Sequence, residues 1–368
     1  MNKSNILISV AIALISAGLA VLYIWLPEID LMADKRAEKV LEIFDIRAAG
    51  WDKGKKTFVI YSRYGWTNRM QDKAQFENVY DGTVFKDGKI AMKNMLAGKV
   101  EINEITKETL VSGGNDGKER AKALIDLKGD KKFSLLTTRQ IRYDNKNNIA
   151  FFNGSPRLTS SSFTIDAATI EVRYIEKRSN ITGNVRMEIK NKDGVKTNVR
   201  SDTAELFNDN NNTRFSKNVI VTQKNKRAVS DFLDYTDNSG ALLLSGRVKV
   251  FFRNASQMIK KERAVAIKNR EVKKALSQET TLTCGLFELS TKHSNANARQ
   301  NVLVAQSSKQ AKADNALYDD DKETITLTGN VFLKKGKEWL KTKKVIVYLK
   351  TERFEASGGV ESQFNLKK

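Results

Sequence analysis

The chain is 368 residues long and carries 64 Lys and Arg against 43 Asp and Glu, a net charge of +21 that points to a polyanionic partner: nucleic acid, an anionic membrane surface or a phosphorylated glycolipid. Two prolines and a single cysteine, Cys284, exclude a disulfide-stapled scaffold. After the first thirty positions composition does not shift, which fits an elongated array better than two unrelated globules.

Ile6 to Leu26 is a run of 21 residues without a charge, enough at about 1.5 Å per residue to cross a bilayer core of about 30 Å. A cleaved signal peptide is the rival reading, and Ser16-Ala17-Gly18-Leu19-Ala20 supplies small residues for it. The apolar run continues through Leu26 with no polar exit, so residues 1–26 are expected to stay as an anchor. Lys3 precedes the run and Lys35, Arg36 and Lys39 follow it, so charge orients it only weakly. A large body behind so early a span belongs outside the cytoplasm, with Tyr23 and Trp25 at the outer interface. Residues 27–50, where Leu31, Val40, Leu41, Ile43 and Phe44 stand among charges, read as a linker or a short amphipathic helix.

From Trp51 onward strand signals dominate. Thr57 to Tyr61 opens the sheet, and Asp81-Gly82 and Asp87-Gly88 flank Thr83 to Lys86 as turn chemistry. Ser112 to Gly129 is irregular, and its Gly113-Gly114-Asn115-Asp116-Gly117-Lys118 reads as a hairpin loop: Glu119 stands where a phosphate loop needs a hydroxyl. Ala121 to Leu127 and Lys260 to Leu276 are the main helix candidates.

The organising feature is a phrase, apolar-x-Gly-x-apolar, at Leu96-x-Gly98, Phe152-x-Gly154, Ile181-x-Gly183, Leu244-x-Gly246, Leu327-x-Gly329 and Ala356-x-Gly358. Phe215-x-Lys217 and Ala298-x-Gln300 keep the phase without the glycine. The steps between copies are 56, 29, 34, 29, 54, 29 and 29 residues, one unit or twice that, so the chain is an internal repeat. A second phrase, Asp-x-Ala-x-apolar, lies between copies at Asp166, Asp202 and Asp314, with Asp231-x-Leu233 as a relative. Each unit is then two antiparallel strands with turns. One mid-strand glycine per unit implies a sheet creased along a line and folded over, its inner apolar face forming a dry core or a groove. Strand parity puts Val185, Met187, Ile189, Val219, Val221, Leu244, Val248, Val250, Phe252, Leu327, Val331 and Leu333 on that face.

Ala313-Asp314-Asn315-Ala316-Leu317-Tyr318-Asp319 followed by Ile325-Thr326-Leu327-Thr328-Gly329-Asn330-Val331 resembles the signature of the OstA-like family, which includes the periplasmic lipopolysaccharide-export proteins LptA and LptC. The likeness returns at Ser201 to Leu206 and Thr182 to Val185, and an anchor followed by a Phe58-Val59-Ile60 strand is similar in plan to LptC. The resemblance implies an all-β fold, an elongated, twisted, V-shaped antiparallel β-jellyroll behind one N-terminal transmembrane helix. It further implies a bridge that takes lipopolysaccharide from an inner-membrane ABC transporter and passes it toward the outer membrane. The twelve inner residues would then line a groove for lipid A acyl chains, and the basic excess would meet lipid phosphates at its mouth. The length leaves room for an LptC-like part, 51–190, and an OstA/LptA-like part, 191–368. The chain would sit in the inner membrane by one span with its β-domain in the periplasm. Its strand edges, around Thr57 to Tyr61 at one end and Val345 to Leu349 with Ala356 to Phe364 at the other, would pair with the transporter and with the next bridge protein.

Catalysis has little footing. One histidine, His293, makes no triad. Cys284 beside Gly285 reads as a small packed residue, and Asp319-Asp320-Asp321 lacks the glycine and distal glutamate of a calcium loop. No cofactor or metal is expected, and nucleic acid is set aside because the anchor removes the chain from the cytoplasm. The alternatives are a structural or polyanion-binding envelope protein, or a carbohydrate-active β-solenoid enzyme with paired carboxylates on neighbouring coils.

Overall fold

The computed structural model of the protein describes residues 39–364 apart from 87, 115–118, 127–132, 191–195, 208, 210–211, 225, 254–277, 291–294, 320 and 352. The expected span at Ile6 to Leu26, the helix candidate at Lys260 to Leu276 and His293 lie outside the described residues. Among the described residues, no helix is long and apolar enough to cross a membrane.

Alternating apolar side chains give each strand one face that must be covered, and here the chain covers it with itself. The first four strands, β1 (Lys39–Asp52), β2 (Lys55–Asn68), β3 (Lys73–Lys86) and β4 (Lys89–Asn103), are long and pair antiparallel in sequence order. The strands that follow break in the middle. β5 (Glu108–Ser112) and β6 (Ala121–Ile125) are two halves of one crossing, pairing with opposite ends of β4. The same holds for β7 (Ser134–Thr138) with β8 (Gln140–Asp144), β9 (Ile149–Asn153) with β10 (Arg157–Thr159), and β11 (Phe163–Asp166) with β12 (Thr169–Arg173). Both halves of the last crossing meet on β13 (Arg178–Lys190).

From there the meander continues unbroken through β14 (Lys196–Phe207), β15 (Asn212–Gln223), β16 (Lys226–Thr236), β17 (Ala241–Phe252), β18 (Thr280–Ser290), β19 (Ala296–Gln306), β20 (Lys309–Asp319), β21 (Thr324–Lys335) and β22 (Glu338–Tyr348). β23 (Arg353–Ser357) and β24 (Glu361–Gln363) share the far edge of β22. The described strands are therefore one all-β antiparallel sheet, and pairing between β13 and β14 is as full as between the strands that follow.

The crease is visible in the backbone. Apart from the β1–β2 turn at Lys53-Gly54, seven pairs of consecutive residues have left-handed φ between 47° and 91°: Gly154-Ser155, Gly183-Asn184, Lys217-Asn218, Gly246-Arg247, Gln300-Asn301, Gly329-Asn330 and Gly358-Gly359. These are the phrases read from the sequence, both glycine-less copies included, and in β13, β15, β17, β19 and β21 the ladder register shifts at them. Gly98 is the exception. It has no left-handed φ, and a Cβ there would lie 2.5 Å from the Gly113 carbonyl oxygen, so its glycine serves close backbone approach. The 54-residue step is one unit rather than two, since β17 and β18 are neighbours with 254–277 between them.

Opposite each bulge the alternate strand presents a single residue: Arg139, Ala168, Asp202, Asp231, Gln300's neighbour Gly285, Asp314 and Lys343. The residue before it is always small and buried, namely Thr138, Ala167, Ser201, Ser230, Cys284, Ala313 and Thr342, and Ser62 and Ala97 hold the same place in β2 and β4. Bulk at that row would hold the two leaves of the fold apart. Where a hydroxyl is present it donates to a carbonyl released by the broken ladder, as from Ser201 to Thr203 at 2.8 Å and from Ser230 to Phe232 at 2.8 Å.

Four expectations for the N-terminal strands are corrected, and one at the other end, since Val345 to Tyr348 is paired on both sides and is not a free edge. Residues 39–50 are strand, not linker or helix: the left-handed φ of 49° at Asp45 breaks the alternation that would have revealed it. The N-terminal edge is accordingly β1, and Phe58 to Tyr61 is paired on both sides. Ala121 to Ile125 is strand, held between β4 and β7. Asp81-Gly82 is not a turn but mid-strand, with Gly82 making room for Met95, and Gly88, at φ 75°, makes the reversal alone among the described residues of that turn.

Candidate functional site

The two leaves close on one contiguous buried apolar cluster running from Ile46 to Val345. Val185, Phe215, Leu233, Leu242, Val331 and Val345 have no exposed surface, although the outer side of every one of their strands faces solvent. Only the opposite leaf can cover them. Of the twelve inner-face residues read from the sequence, ten are buried. Phe252 and Leu333 are half-buried and pack against the cluster. Their sequence neighbours Arg186, Lys249 and Asn330 are exposed, as the strand period requires.

Sequence reasoning found mainly the leaf that follows each bulge. The facing leaf contributes Ile181, Leu206, Phe215, Leu233, Leu242 and Phe287, and the strands between glycine phrases add Val199 and Leu282. Ile181 and Phe215 open phrases that the sequence already displays, whereas Leu206, Leu233, Phe287, Val199 and Leu282 lie in intervening strands whose same alternation has no mid-strand left-handed glycine to set its phase. The interior is filled by the protein's own side chains, so it is a dry core in this structure, and a ligand would enter it by parting the leaves.

Its electrostatics are correspondingly plain. Among the described residues no Lys or Arg is buried, and the buried charged residues are Asp126 and Glu323. Burial pushes the Cys284 thiol up to about 11, and burial together with Asp237 pushes the Tyr235 phenol above its ordinary range. Ser179 is buried with no partner for its hydroxyl. No group of three His, Cys, Asp or Glu among the described residues could hold a metal ion.

The second phrase serves the bulges. Asp202 accepts from Asn218 at 2.8 Å, Asp314 from Asn330 at 3.0 Å, and Asp231 pairs with Arg247 at 2.6 Å, all across the crease. Asp166 belongs elsewhere. It pairs with Arg157 at 2.6 Å, and Ala168 takes the place opposite Gly183. On the outer surface, a concavity of about 610 Å³ is lined by Asn212, Arg214, Asp234, Leu243, Glu288 and Arg299. Its carboxylates are bound to arginines, Asp234 to Arg214 at 2.7 Å and Glu288 to Arg299 at 3.3 Å, unlike the free acid and base that a glycosidase needs.

Residues 198–353 match the family model described as LptA/(LptD N-terminal domain) LPS transport protein. The matched stretch holds the bulges at Lys217, Gly246, Gln300 and Gly329, and the same crease continues outside it at Gly154, Gly183 and Gly358. No curated protein matches the chain. Seventeen chains of solved structures match. Among them is LptH, the LptA-homologous periplasmic component of the lipopolysaccharide transport device of Pseudomonas aeruginosa, at 16% identity over 27% of this chain and 73% of that one, with a TM-score of 0.26.

Proposed function

We propose that this chain is a carrier of lipopolysaccharide, a periplasmic bridge protein held to the inner membrane by residues 1–26, and not an enzyme. The observation that carries the reading is the continuity of the apolar interior along the crease, both within the residues that match the LPS-transport family and beyond them. A saturated chain sheltered between the leaves avoids an exposure cost of about 0.8 kcal/mol per CH₂. The inner-membrane ABC transporter hands lipid to the β1 end, the leaves part as acyl chains enter, and the next bridge protein receives them at the β23–β24 end. The division into an LptC-like part and an OstA/LptA-like part, meeting at 190/191, belongs to this proposal.

Site-specific photocrosslinking in living cells tests it. Probes at Val185, Met187, Val219, Val248, Val250, Leu327 and Val331 should trap a glycolipid, and probes at Arg186, Lys249 and Asn330 should not, because successive side chains face opposite sides of a strand. Equal trapping at both parities would remove the interior as the path.

A further inference from the structure

The first four strands wear an outer face unlike the rest of the sheet. Of the sixteen large apolar side chains exposed among the described residues, eight lie between Leu41 and Leu96, and Phe44, Tyr80 and Leu96 of these stand on the outer side of their strands, whereas Met70 lies in a turn and Ile43 pairs with the buried Gly65. Phe44 is 72% exposed and its ring stands 5.4 Å from Tyr64, while Tyr80, 48% exposed, stands 6.2 Å from Tyr61. Basic groups lie over these rings: Lys39 over Tyr64, Arg47 over Tyr61 and Arg63 over Tyr80, at 5.3, 5.9 and 5.4 Å. Leu96 continues the row beyond Tyr80 and pairs in register with Lys122. The row ends in a cavity of about 370 Å³ lined by Tyr80, Leu96, Arg63, Arg120 and Lys122, with Glu119 as its acid.

Two properties of this face favour a lipid surface as its occupant. Aromatic rings with a polar or cationic edge are the side chains that settle at a bilayer interface, their bodies among the upper acyl carbons and their charges at the headgroups. Of the carboxylates beside the row, Glu42 and Asp45 are tied to Lys39 at 3.4 Å and Arg63 at 3.1 Å, while Glu77 stands opposite Tyr64 and Asp81 opposite Tyr61; no ion pair joins Arg47 or Lys122 to a carboxylate among the described residues. At the cavity Arg120 and Lys122, together with Arg63 that Asp45 already holds, stand against the one acid Glu119, a balance that suits a phosphate. Reach is the second property. Twelve residues separate Leu26, the end of the uncharged run, from Lys39, the start of β1, and even fully extended they span at most about 40 Å.

We infer that the outer face of β1 to β4 docks on the surface of an anionic phospholipid bilayer, with a headgroup phosphate in the cavity between Arg63, Arg120 and Lys122. This rests on the anchor reading above, and docking by the face leaves the β1 edge free for pairing. It would fix the near end of the sheet against the membrane from which cargo leaves.

The test uses the full chain in phosphatidylcholine vesicles with or without phosphatidylglycerol, each doped with spin-labelled lipid, in a Cys284→Ala background. An environment-sensitive fluorophore is placed by Tyr80→Cys or Leu96→Cys, with Leu317→Cys, exposed on β20, as the distant control. Quenching at 80 and 96 but not 317, stronger with phosphatidylglycerol, is the expected result. Arg47→Ala and Lys122→Ala should each lower the docked-to-undocked ratio about fivefold in anionic vesicles. A chain that floats with vesicles but shows no more quenching at 80 than at 317 overturns the docked face and leaves the anchor standing. A chain that does not float overturns both. Shielding of residue 80 that depends on protein concentration and not on lipid would assign the face to a second copy and overturn the inference.

Discussion

Arg247 grips Asp231 across the crease, Nη2 donating to Oδ1 at 2.6 Å and Nε to Oδ2 at 3.0 Å, and the two stand 16 residues apart. Asp202 with Asn218 and Asp314 with Asn330 repeat both the contact and the separation. The acid thus fastens the second left-handed residue of the bulge that follows it. The Asp231 carboxyl lies below the usual carboxylate range, because Arg247 donates to the charged form.

The first residue of each bulge meets a tighter constraint. At Gly246 a Cβ would lie 2.6 Å from Asp231 Oδ2 with φ at 73°, while Lys217 accepts φ 65° with a full side chain. Gly246→Ala should therefore cost about 1–3 kcal/mol and Lys217→Gly should change stability by less than about 0.5 kcal/mol, relief of strain offsetting the added chain entropy. Urea unfolding midpoints decide it, and a Lys217→Gly variant as unstable as Gly246→Ala would sink the repeat account of the bulge.

Cys284 fills a place held in other units by Ser201, Ser230, Thr342 and Ala313, so its chemistry is dispensable and its size is not. Cys284→Ala and Cys284→Ser should fold with losses below about 1.5 kcal/mol, and Cys284→Leu should cost about 1–3 kcal/mol by forcing the leaves apart. The thiol is pushed up to about 11 by burial. The folded state thus favours the protonated form, and this contribution to stability is complete below the unfolded thiol's pKa and lost as pH rises through about 11. In native protein at pH 8 alkylation should be slow, and fast after unfolding. Rapid labelling of the native chain would contradict the buried slot.

Legibility followed a physical boundary. The phase of β13, β17 and β21 could be read because a glycine marks the bulge and apolar residues alternate on both sides of it, and the same frame carried Lys217 and Gln300. β1 was missed because left-handed Asp45 and its bulky exposed neighbour Phe44 break the two-residue period. Asp166 was misaligned by two residues because Ala168, with no charge to advertise it, fills the place that Asp202 and Asp314 fill elsewhere. The filled interior was not decidable from the pattern, since a dry core and a lipid groove demand the same alternation. It depends on how closely the leaves approach, which the row of small residues from Ser62 to Thr342 sets.

If lipid replaces side-chain contacts inside the fold, a cavity in the interior should be repaid by ligand. Met187 is 1% exposed, and Met187→Ala should lower stability by about 2–5 kcal/mol. Added lipid A should then raise the melting temperature of this variant more than that of the unaltered chain, because only the folded form offers the space. Thermal melts with and without lipid read the difference, and an equal shift in both would mean that lipid does not enter at Met187.

The far end of the sheet offers an edge of a different kind. Val345 to Leu349 is not free, for Val345 and Val347 pair with β21 on one side and with Ala356 and Phe354 of β23 on the other. The exposed ladder belongs to β23 and β24, with Phe354 in β23 and Val360 and Phe364 flanking β24 at 57, 52 and 59% exposure. An exposed edge with apolar side chains beside it invites another strand. Deleting Thr351 to Lys368 removes these short, exposed strands, so folding should suffer little. It should abolish capture of the next bridge protein while leaving retention in the membrane unchanged, as copurification and membrane fractionation would report. Pro in place of Val347 should instead disturb the paired interior of the sheet and lower stability by about 3 kcal/mol or more, since it removes a ladder donor. A deleted chain that still captures its partner and supports lipid export would place the joint elsewhere.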